Sequence, residues 1–310
     1  MAVSFARRRA TGAVEAGSAA PTVGWRARLA DAWRRHAPGV GWTMVSLGTF
    51  AGIWELLWAL GIADPKLLPP PHIFLGDIAG QAENFNTAQR WEVGQDMNAG
   101  PSPAMAVAIT VMSSTLRVLT GLVLAACASI TLGVLIRYFR VVEKLTLPTV
   151  TLLAPVSPIA WLPVAVFLFG IGNGPAIFMV FIALFFTMTL ATITQIDSVQ
   201  KNYLDVARTM GASRRQMYLR VILPAILPGL LVVLRFNLFA AWMVVLIAEA
   251  TGVGYGLGQI IMLARNTFNP SLVFFTIVLI GITGFCFDYA LRLLQVKLLY
   301  WVPKGQGALG

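Results

Sequence analysis

A compact cluster of charged residues interrupts the apolar part of this chain, in the stretch YLDVARTMGASRRQMYLRVILP at residues 203–224. The stretch carries Arg208, Arg214, Arg215 and Arg220, and it ends at a Leu-Pro pair. Its apolar and small residues recur at the three- and four-residue spacing of a helix, and the glycine at its centre permits a sharp turn. A short charged helix between two apolar runs is suited to being held by another protein. We call residues 197–224 the insert.

A second set of residues that could take part in binding or chemistry is ionisable and lies within the apolar runs: Glu55, Arg117, Arg235, Glu249 and Asp288. Such residues are costly inside a membrane and usually face a cavity or a partner. Arg235 can hold a passing oxyanion through a charge-assisted fork. It can equally form a structural pair with Asp288 or Glu249, or extend towards a wet cavity. Arg235 and Glu249 are therefore candidates for a translocation path.

One apolar run, at about 146–169, is interrupted by prolines at positions 148, 155, 158 and 163. Proline removes a backbone donor, so this run is expected to be kinked or irregular. Such backbone is tolerated at membrane depth only where protein covers it or where it lines a water-filled cavity. Trp161 and Pro163 are therefore candidates to line a path, and the alternative is a kink packed against a neighbouring helix.

The sequence offers no recognisable catalytic or metal-binding motif. Cys127 and Cys286 stand at no metal-ligand spacing and are expected to be small, buried apolar residues. The spans contain neither HExxH nor GxSxG, and the chain lacks the G-x-x-x-x-G-K-[ST] loop that cradles ATP phosphates. The glycine-rich run GVGYGLG, at 252–258, is read as a tight turn. We expect no catalytic residue, metal or cofactor in this chain, so it is not an enzyme and its energy must come from elsewhere.

The composition indicates an all-α polytopic membrane protein. The chain has 310 residues, of which 57% are hydrophobic and 12% charged, and its mean hydropathy is +0.76. Soluble domains are about half apolar and about a quarter charged. A membrane-spanning helix needs about 20 apolar residues. Six runs meet that length, at about 41–62, 116–136, 146–169, 175–196, 226–249 and 271–295.

The basic residues predict the orientation of these six spans. Most of the 23 Lys and Arg residues fall in the N-terminal tail, the loop after the second span, the insert and the C-terminal end. Cytoplasmic loops carry such an excess, so both ends of the chain are predicted to be cytoplasmic. Three parts follow: a disordered Arg-rich tail at 1–39, a membrane domain at 40–300 and a C-terminal tail at 301–310. The exterior segment after the first span is expected to hold one short amphipathic helix near 73–85.

The insert resembles the cytoplasmic signature of the importer-type permeases of ABC transporters. That signature reads Glu-Ala-Ala, three residues, Gly, nine residues, Ile, any residue, Leu-Pro. In this chain the corresponding residues are Asp205, Val206, Ala207, Gly211, Val221, Leu223 and Pro224. The departures are Asp for Glu, Val for Ala and Val for Ile, and the spacing is kept throughout.

This resemblance implies a type I ABC importer-like fold in which the insert is a coupling helix that docks on a separate ATPase subunit. It assigns docking to Asp205, Val206, Ala207, Arg208, Gly211, Ala212, Leu223 and Pro224. The small residues Ala207, Gly211 and Ala212 would allow close approach, and Asp205 and Arg208 would supply polar pairs at the rim. ATP and magnesium would be bound by the ATPase.

The resemblance also implies the other partners and the location. They are a second permease chain in a homodimer, a periplasmic substrate-binding protein and the lipid bilayer of a bacterial inner membrane, with no nucleic acid. The stretches PVSPIAWLPVAVFLFGIG, RVLTGLVLA and VLRFNLFAAWMVVLIAE resemble permeases for nitrate, sulfonate, taurine and bicarbonate. A small anion is therefore the expected cargo. The alternative function is a secondary transporter or channel driven by an ion gradient, although the two halves show no convincing repeat.

Overall fold

The computed structural model describes residues 25–62, 64, 66–89 and 102–299, and all the regular secondary structure in this part of the chain is helical. The helices are α1 (Trp25–Ala59), α2 (Pro71–Gly76), α3 (Ile78–Gln89), α4 (Pro103–Tyr138), α5 (Arg140–Leu153), α6 (Leu162–Phe169), α7 (Asn173–Asp197), α8 (Lys201–Thr209), α9 (Arg214–Met217), α10 (Leu223–Ala248), α11 (Leu257–Asn266) and α12 (Pro270–Leu298). A 3-10 helix at Pro158–Trp161 precedes α6, and π-helical turns flank α10 at Tyr218–Ile222 and Glu249–Val253. The predicted all-α fold is confirmed for the described residues.

Helix α1 belongs to a compact unit separate from the rest of the chain, which begins at Leu60. The helix begins at Trp25, within the tail at 1–39, and the disorder of that tail stays a prediction. The stretch from that residue is rich in Ala, Leu and Arg, which favour helix. The first predicted span, 41–62, is helical as far as Ala59. Residues 1–24 and the C-terminal tail at 301–310 lie outside the described residues.

Four described helices are long and apolar enough to cross a membrane: Pro103–Tyr138, Asn173–Asp197, Arg214–Val253 and Pro270–Gln295. They contain four of the six predicted runs. A fifth span is formed if the helices Arg140–Leu153 and Pro158–Phe169, bent by 104°, are taken together, which confirms the predicted break in the third run. Helix α1 is absent from this set, since Glu55, tryptophans and small polar residues dilute its apolar character.

The most extensive helix packing among the described residues joins α4 to α7. Gly121, Ala125, Ser129 and Gly133 follow one another at four-residue intervals on α4. A Cβ on Gly121 would come within 2.6 Å of the Val180 side chain, and one on Gly133 within 2.8 Å of the Thr192 side chain. Small residues allow this close approach between helices within a membrane.

These contacts fix the directions of the main helices. Residues 121 and 133 of α4 meet residues 180 and 192 of α7, so α4 and α7 run parallel. The bent pair α5 and α6 therefore returns the chain from one end of the bundle to the other. Helix α10 runs the opposite way, because Gly229 near its start lies against Gln195 near the end of α7. We call the end where α4 and α7 finish the insert end, and the other the far end.

Two groups of buried apolar side chains stabilise this arrangement. The larger cluster joins α4, α7, α10, α11 and the start of α12, with Leu184, Leu238 and Leu257 among its most buried members. The smaller cluster lies at the insert end and contains Ile196, Ile222, Ile226 and Leu230. The bundle core and the insert end therefore have separate apolar supports.

Two smaller expectations are corrected by the structure. The segment expected to form one helix near 73–85 forms two, α2 and α3, which divide at Asp77, where the carboxylate accepts a hydrogen bond from the Gly80 N–H at 3.1 Å. Cys127 and Cys286, expected to be buried, are exposed on the surface of the single chain. Both belong to spanning helices, whose outer faces in a single chain are apolar and uncovered.

Candidate functional site: the insert and the bundle beneath it

The insert folds as two short helices joined by a tight turn. Helix α8 ends at Thr209, and Gly211 follows with φ of +75°, in the left-handed region that favours glycine. Helix α9 then begins with a capping box, in which the Ser213 hydroxyl accepts from the Gln216 N–H and the Gln216 side chain accepts from the Ser213 N–H. The helix and the sharp turn predicted from the sequence are both present.

The inner face of the insert packs on the bundle. Leu204 of α8 contacts the smaller apolar cluster together with Met217, Tyr218 and Leu223 from the second half of the insert. Ala207 is also buried, at 8% exposed. The insert is therefore held by apolar contacts of Leu204 in its first half and of Met217, Tyr218 and Leu223 in its second half.

The outer face of α8 carries exposed apolar side chains. Tyr203, Val206 and Met210 are 56%, 58% and 81% exposed. Their spacing of three and four residues places them on one side of the helix. Asp205 and Arg208 form an exposed ion pair at 2.9 Å on a different side of the same helix. Exposed apolar side chains with charged residues nearby are typical of a protein-binding surface.

The residues assigned to docking by resemblance occupy two different environments. Asp205, Val206, Arg208 and Gly211 are exposed, and Ala212 is half-buried. Ala207 is buried at 8% exposed, and the docking role of the small residues stays a prediction. Of the closing pair, Leu223 packs in the apolar cluster and Pro224 stands in the first turn of α10, where a missing N–H costs little.

Arg235 forms an ion pair with Asp288, one of the alternatives that the sequence left open. Its guanidinium donates to both carboxylate oxygens, the Nη2 to Oδ2 distance being 3.2 Å. Arg292 donates to the same carboxylate at 2.9 Å. The pair ties the middle of α10 to α12. The Arg235 side chain remains 23% exposed, so a role in a translocation path stays a prediction.

Glu249 lies in a buried polar cluster at the far end of the bundle. Its Oε1 accepts from Arg117 Nη1 at 2.5 Å, and both side chains are almost completely buried, at 0% and 3% exposed. Arg117 also donates to Asn173 Oδ1 at 2.7 Å and lies 4.2 Å from the centroid of the Tyr255 ring. The cluster joins α4, α7, the π turn after α10 and the chain before α11.

The glycine-rich run at 252–258 explains how the backbone approaches Glu249. Gly254 and Gly256 have φ of +81° and +125°, and a Cβ on Gly256 would overlap the Glu249 carboxylate. The Gly258 N–H donates to Glu249 Oε2 at 3.0 Å. The Leu257 N–H donates to Ser114 Oγ at 3.0 Å. The predicted turn is present, and the run provides one backbone hydrogen bond to the Glu249 carboxylate.

Trp161 and Pro163 mark the break between the bent helices. Trp161 is half-buried and packs against the larger apolar cluster, whereas Pro163 is exposed in the first turn of α6. Packing of Trp161 agrees with the alternative of a kink supported by a neighbour. A path-lining role for either residue stays a prediction.

Two features of this region were not found from the sequence. Arg117 and Glu249 were recognised separately as membrane ionisable residues, but their pairing was not, because they are 132 positions apart. The exposed strip of Tyr203, Val206 and Met210 was also missed. Its three- and four-residue spacing was readable, but only the folded chain shows which side of α8 is covered.

Comparison with known proteins agrees with this architecture. Residues 118–300 match the family described as binding-protein-dependent transport system inner membrane component. The taurine transport system permease protein TauC of Escherichia coli is 30% identical over 263 residues, covering 83% of this chain and 89% of that protein. The nitrate import permease protein NrtB of Synechococcus elongatus is 28% identical over 264 residues, covering 84% and 88%.

A solved structure supports the same fold. A chain of the MetNI methionine ABC transporter, in an inward-facing conformation, superposes with a TM-score of 0.50 at 19% identity. The likeness covers 62% of this chain and 98% of that chain. This chain belongs to the family of binding-protein-dependent transport system inner membrane components, the membrane permeases of ABC transporters.

Proposed function

We propose that this chain is the permease subunit of an ATP-driven importer and that its insert is the coupling helix held by a separate ATPase. One observation carries the proposal: the insert contacts the smaller apolar cluster and still presents exposed apolar side chains. Leu204 packs against that cluster, while Tyr203, Val206 and Met210 are more than half exposed. A surface of this kind, joined to the bundle at both of its ends, can transmit the displacement of whatever binds it.

The partner that we assign to this strip is the ATPase subunit of the transporter. The chain contains no phosphate-binding loop of its own, so ATP and magnesium belong to that partner. The family name supplies the second partner, a substrate-binding protein that delivers cargo. ATP binding would close two ATPase subunits on a pair of permease chains and open the pair outwards, and hydrolysis would reset it.

The proposed topology has six spans with both ends of the chain in the cytoplasm of a bacterium. Five spans correspond to the four apolar helices and the bent pair, and the sixth is the region 41–62 at the end of α1. The basic residues of the insert, Arg214 and Arg215 among them, are exposed as cytoplasmic residues would be. The second permease chain is proposed to be a copy of this one.

The proposed cargo is a small anion of the taurine, sulfonate, nitrate or bicarbonate type. Relatives named for taurine and nitrate transport support this class. Arg235, Glu249, Trp161 and Pro163 are the residues that we propose for the path. Arg235 is the only one of these four with a positive charge, and its partly exposed guanidinium can contact a passing anion beside Asp288.

Substitution at Gly211 tests the coupling role. Its φ of +75° strains any L-residue, and nothing lies within 4 Å of a Cβ there. Gly211→Ala therefore adds the backbone strain with little bulk, and Gly211→Trp adds the same strain with a large side chain facing the partner. The complex is purified with its ATPase and binding protein, and subunit association and ATP-driven uptake of labelled taurine, nitrate and bicarbonate are measured in proteoliposomes.

We expect Gly211→Trp to lose association and uptake while Gly211→Ala keeps most of both. Wild-type association and uptake in the tryptophan variant would show that the ATPase does not approach this turn. Equal losses in the two variants would assign the effect to backbone strain rather than to docking, and would also contradict the proposal.

A further inference from the structure

We propose that Arg137 and Tyr218 form a junction through which movement of the insert reaches three helices of the bundle. This proposal rests on the coupling role of the insert proposed above. It identifies Arg137 as a positioning residue for transport, although no motif of the insert includes it. We call Arg137, Tyr218, Asp197 and Glu143 the junction.

The exit of the insert is attached to α4. Tyr218, the first residue after α9, donates its hydroxyl hydrogen to the backbone carbonyl of Arg137, with an oxygen–oxygen distance of 2.8 Å. Its ring lies 5.0 Å from the ring of Tyr138, at an interplanar angle of 72°. The second half of the insert therefore contacts Arg137 and Tyr138, the last two residues of α4.

The entrance of the insert is attached to the same residue. Asp197 is the last residue of α7 and the first residue of the insert, and its carboxylate pairs with Arg137 Nη2. Arg137 Nη1 pairs with Glu143 Oε1 at 2.6 Å, in the first turn of α5. One arginine thus contacts both ends of the insert and the start of the bent pair.

This geometry leaves few ways for the insert to move. A displacement of the insert must either break the Tyr218 and Asp197 contacts or carry the ends of α4 and α7 with it. Glu143 extends the same constraint to α5, whose continuation through the 104° bend returns the chain to the far end. The π turn at Tyr218–Ile222 begins at the tyrosine that contacts α4. Such π turns are frequent at functional sites.

The exposure of the junction argues against a purely structural role. The side chains of Arg137, Glu143 and Asp197 are 25%, 34% and 51% exposed. Partly exposed ion pairs contribute less to folding stability than fully buried ones. The insert end already has its own apolar cluster. Removing the junction should therefore leave the fold and the ATPase-binding surface in place while weakening the mechanical connection between them.

Three variants of the junction are compared with one control. Arg137→Gln removes both ion pairs, Arg137→Lys keeps the charge, and Tyr218→Phe removes one hydroxyl. Arg140→Gln is the matched control, since Arg140 is an exposed arginine three positions further on with no ion pair among the described residues. Each variant is reconstituted as the full complex with its ATPase and binding protein. The measurements are subunit association, the KM for ATP, and labelled anion taken up per ATP hydrolysed.

We expect Arg137→Gln and Tyr218→Phe to keep association and the KM for ATP and to lower uptake per ATP about five-fold or more. Arg137→Lys should recover part of that loss, and Arg140→Gln should behave as the wild type. In a double-mutant cycle, Arg137→Gln and Asp197→Asn should be non-additive, because each removes the same pair.

Two results overturn the proposal. Wild-type uptake per ATP in both Arg137→Gln and Tyr218→Phe would show that the junction carries no movement, while the coupling role of the insert would stand. Loss of ATPase association in Arg137→Gln would show that the residue supports docking instead. Failure of the coupling role itself is recognised separately, by wild-type association and uptake in Gly211→Trp.

Discussion

Removal of the Glu249 carboxylate should destabilise this protein more than any other single charge substitution considered for it. In Glu249→Ala, Arg117 keeps its contacts with Asn173 and Tyr255 but loses its counter-charge in a site that is 3% exposed. The Gly258 N–H loses its acceptor at the same time. Removing one partner of a buried ion pair lowers the free energy of unfolding by about 3–5 kcal/mol.

The remaining contacts of Arg117 place the expected cost near the lower limit, at about 3 kcal/mol. For a protein of this size, about 1 kcal/mol corresponds to roughly 2–4 °C in the midpoint of thermal unfolding, so a decrease of roughly 6–12 °C is expected. The assay is thermal unfolding of the purified chain in detergent, followed by tryptophan fluorescence.

Two controls make this prediction specific. Asp205→Ala removes a carboxylate from an ion pair whose side chains are 63% and 64% exposed, and its midpoint should hardly change. The double variant Arg117→Met with Glu249→Leu should recover much of the stability, because it leaves no unpaired charge. A Glu249→Ala midpoint no lower than that of Asp205→Ala, or a double variant less stable than Glu249→Ala, would refute the reasoning.

Two further predictions concern packing and pairing. Gly258→Ala should lower the midpoint of thermal unfolding markedly, because its Cβ would overlap the Leu246 carbonyl oxygen. Gly281→Ala should leave the midpoint unchanged, because nothing lies within 4 Å of a Cβ there. Equal midpoints in the two variants would contradict this packing. Arg235→Gln and Asp288→Asn should each lower the free energy of unfolding, and the double variant should cost less than their sum because they share one pair. Strict additivity of the two unfolding free energies would show that they act independently.

The sequence predicted the parts of the fold that depend on local pattern. The apolar runs in α4, α7, α10 and α12, the proline break and the turn at Gly211 are all properties of neighbouring residues. The first span was predicted less well, because tryptophan and glycine in α1 lower its hydropathy without shortening the run.

The sequence identified the insert but did not show which of its side chains are exposed or which residues pair beneath it. The Asp205 triplet and Gly211 identified the insert through their spacing. Which side of α8 faces outwards depends on where Leu204 packs, and that is decided by Ile196 and Ile226 on other helices. The partner of Glu249 could not be predicted from spacing either. Arg117 and Glu249 are 132 positions apart, and they meet only in the folded bundle.

The central claim is that a separate ATPase drives transport through the insert. The most direct test is uptake of labelled taurine, nitrate and bicarbonate by proteoliposomes that contain this chain and its binding protein, with and without the ATPase subunit and ATP. We predict uptake only when both ATPase and ATP are present, and its loss in Gly211→Trp. Uptake by the chain without the ATPase, driven by an imposed ion gradient, would contradict the claim and identify a secondary transporter or channel instead.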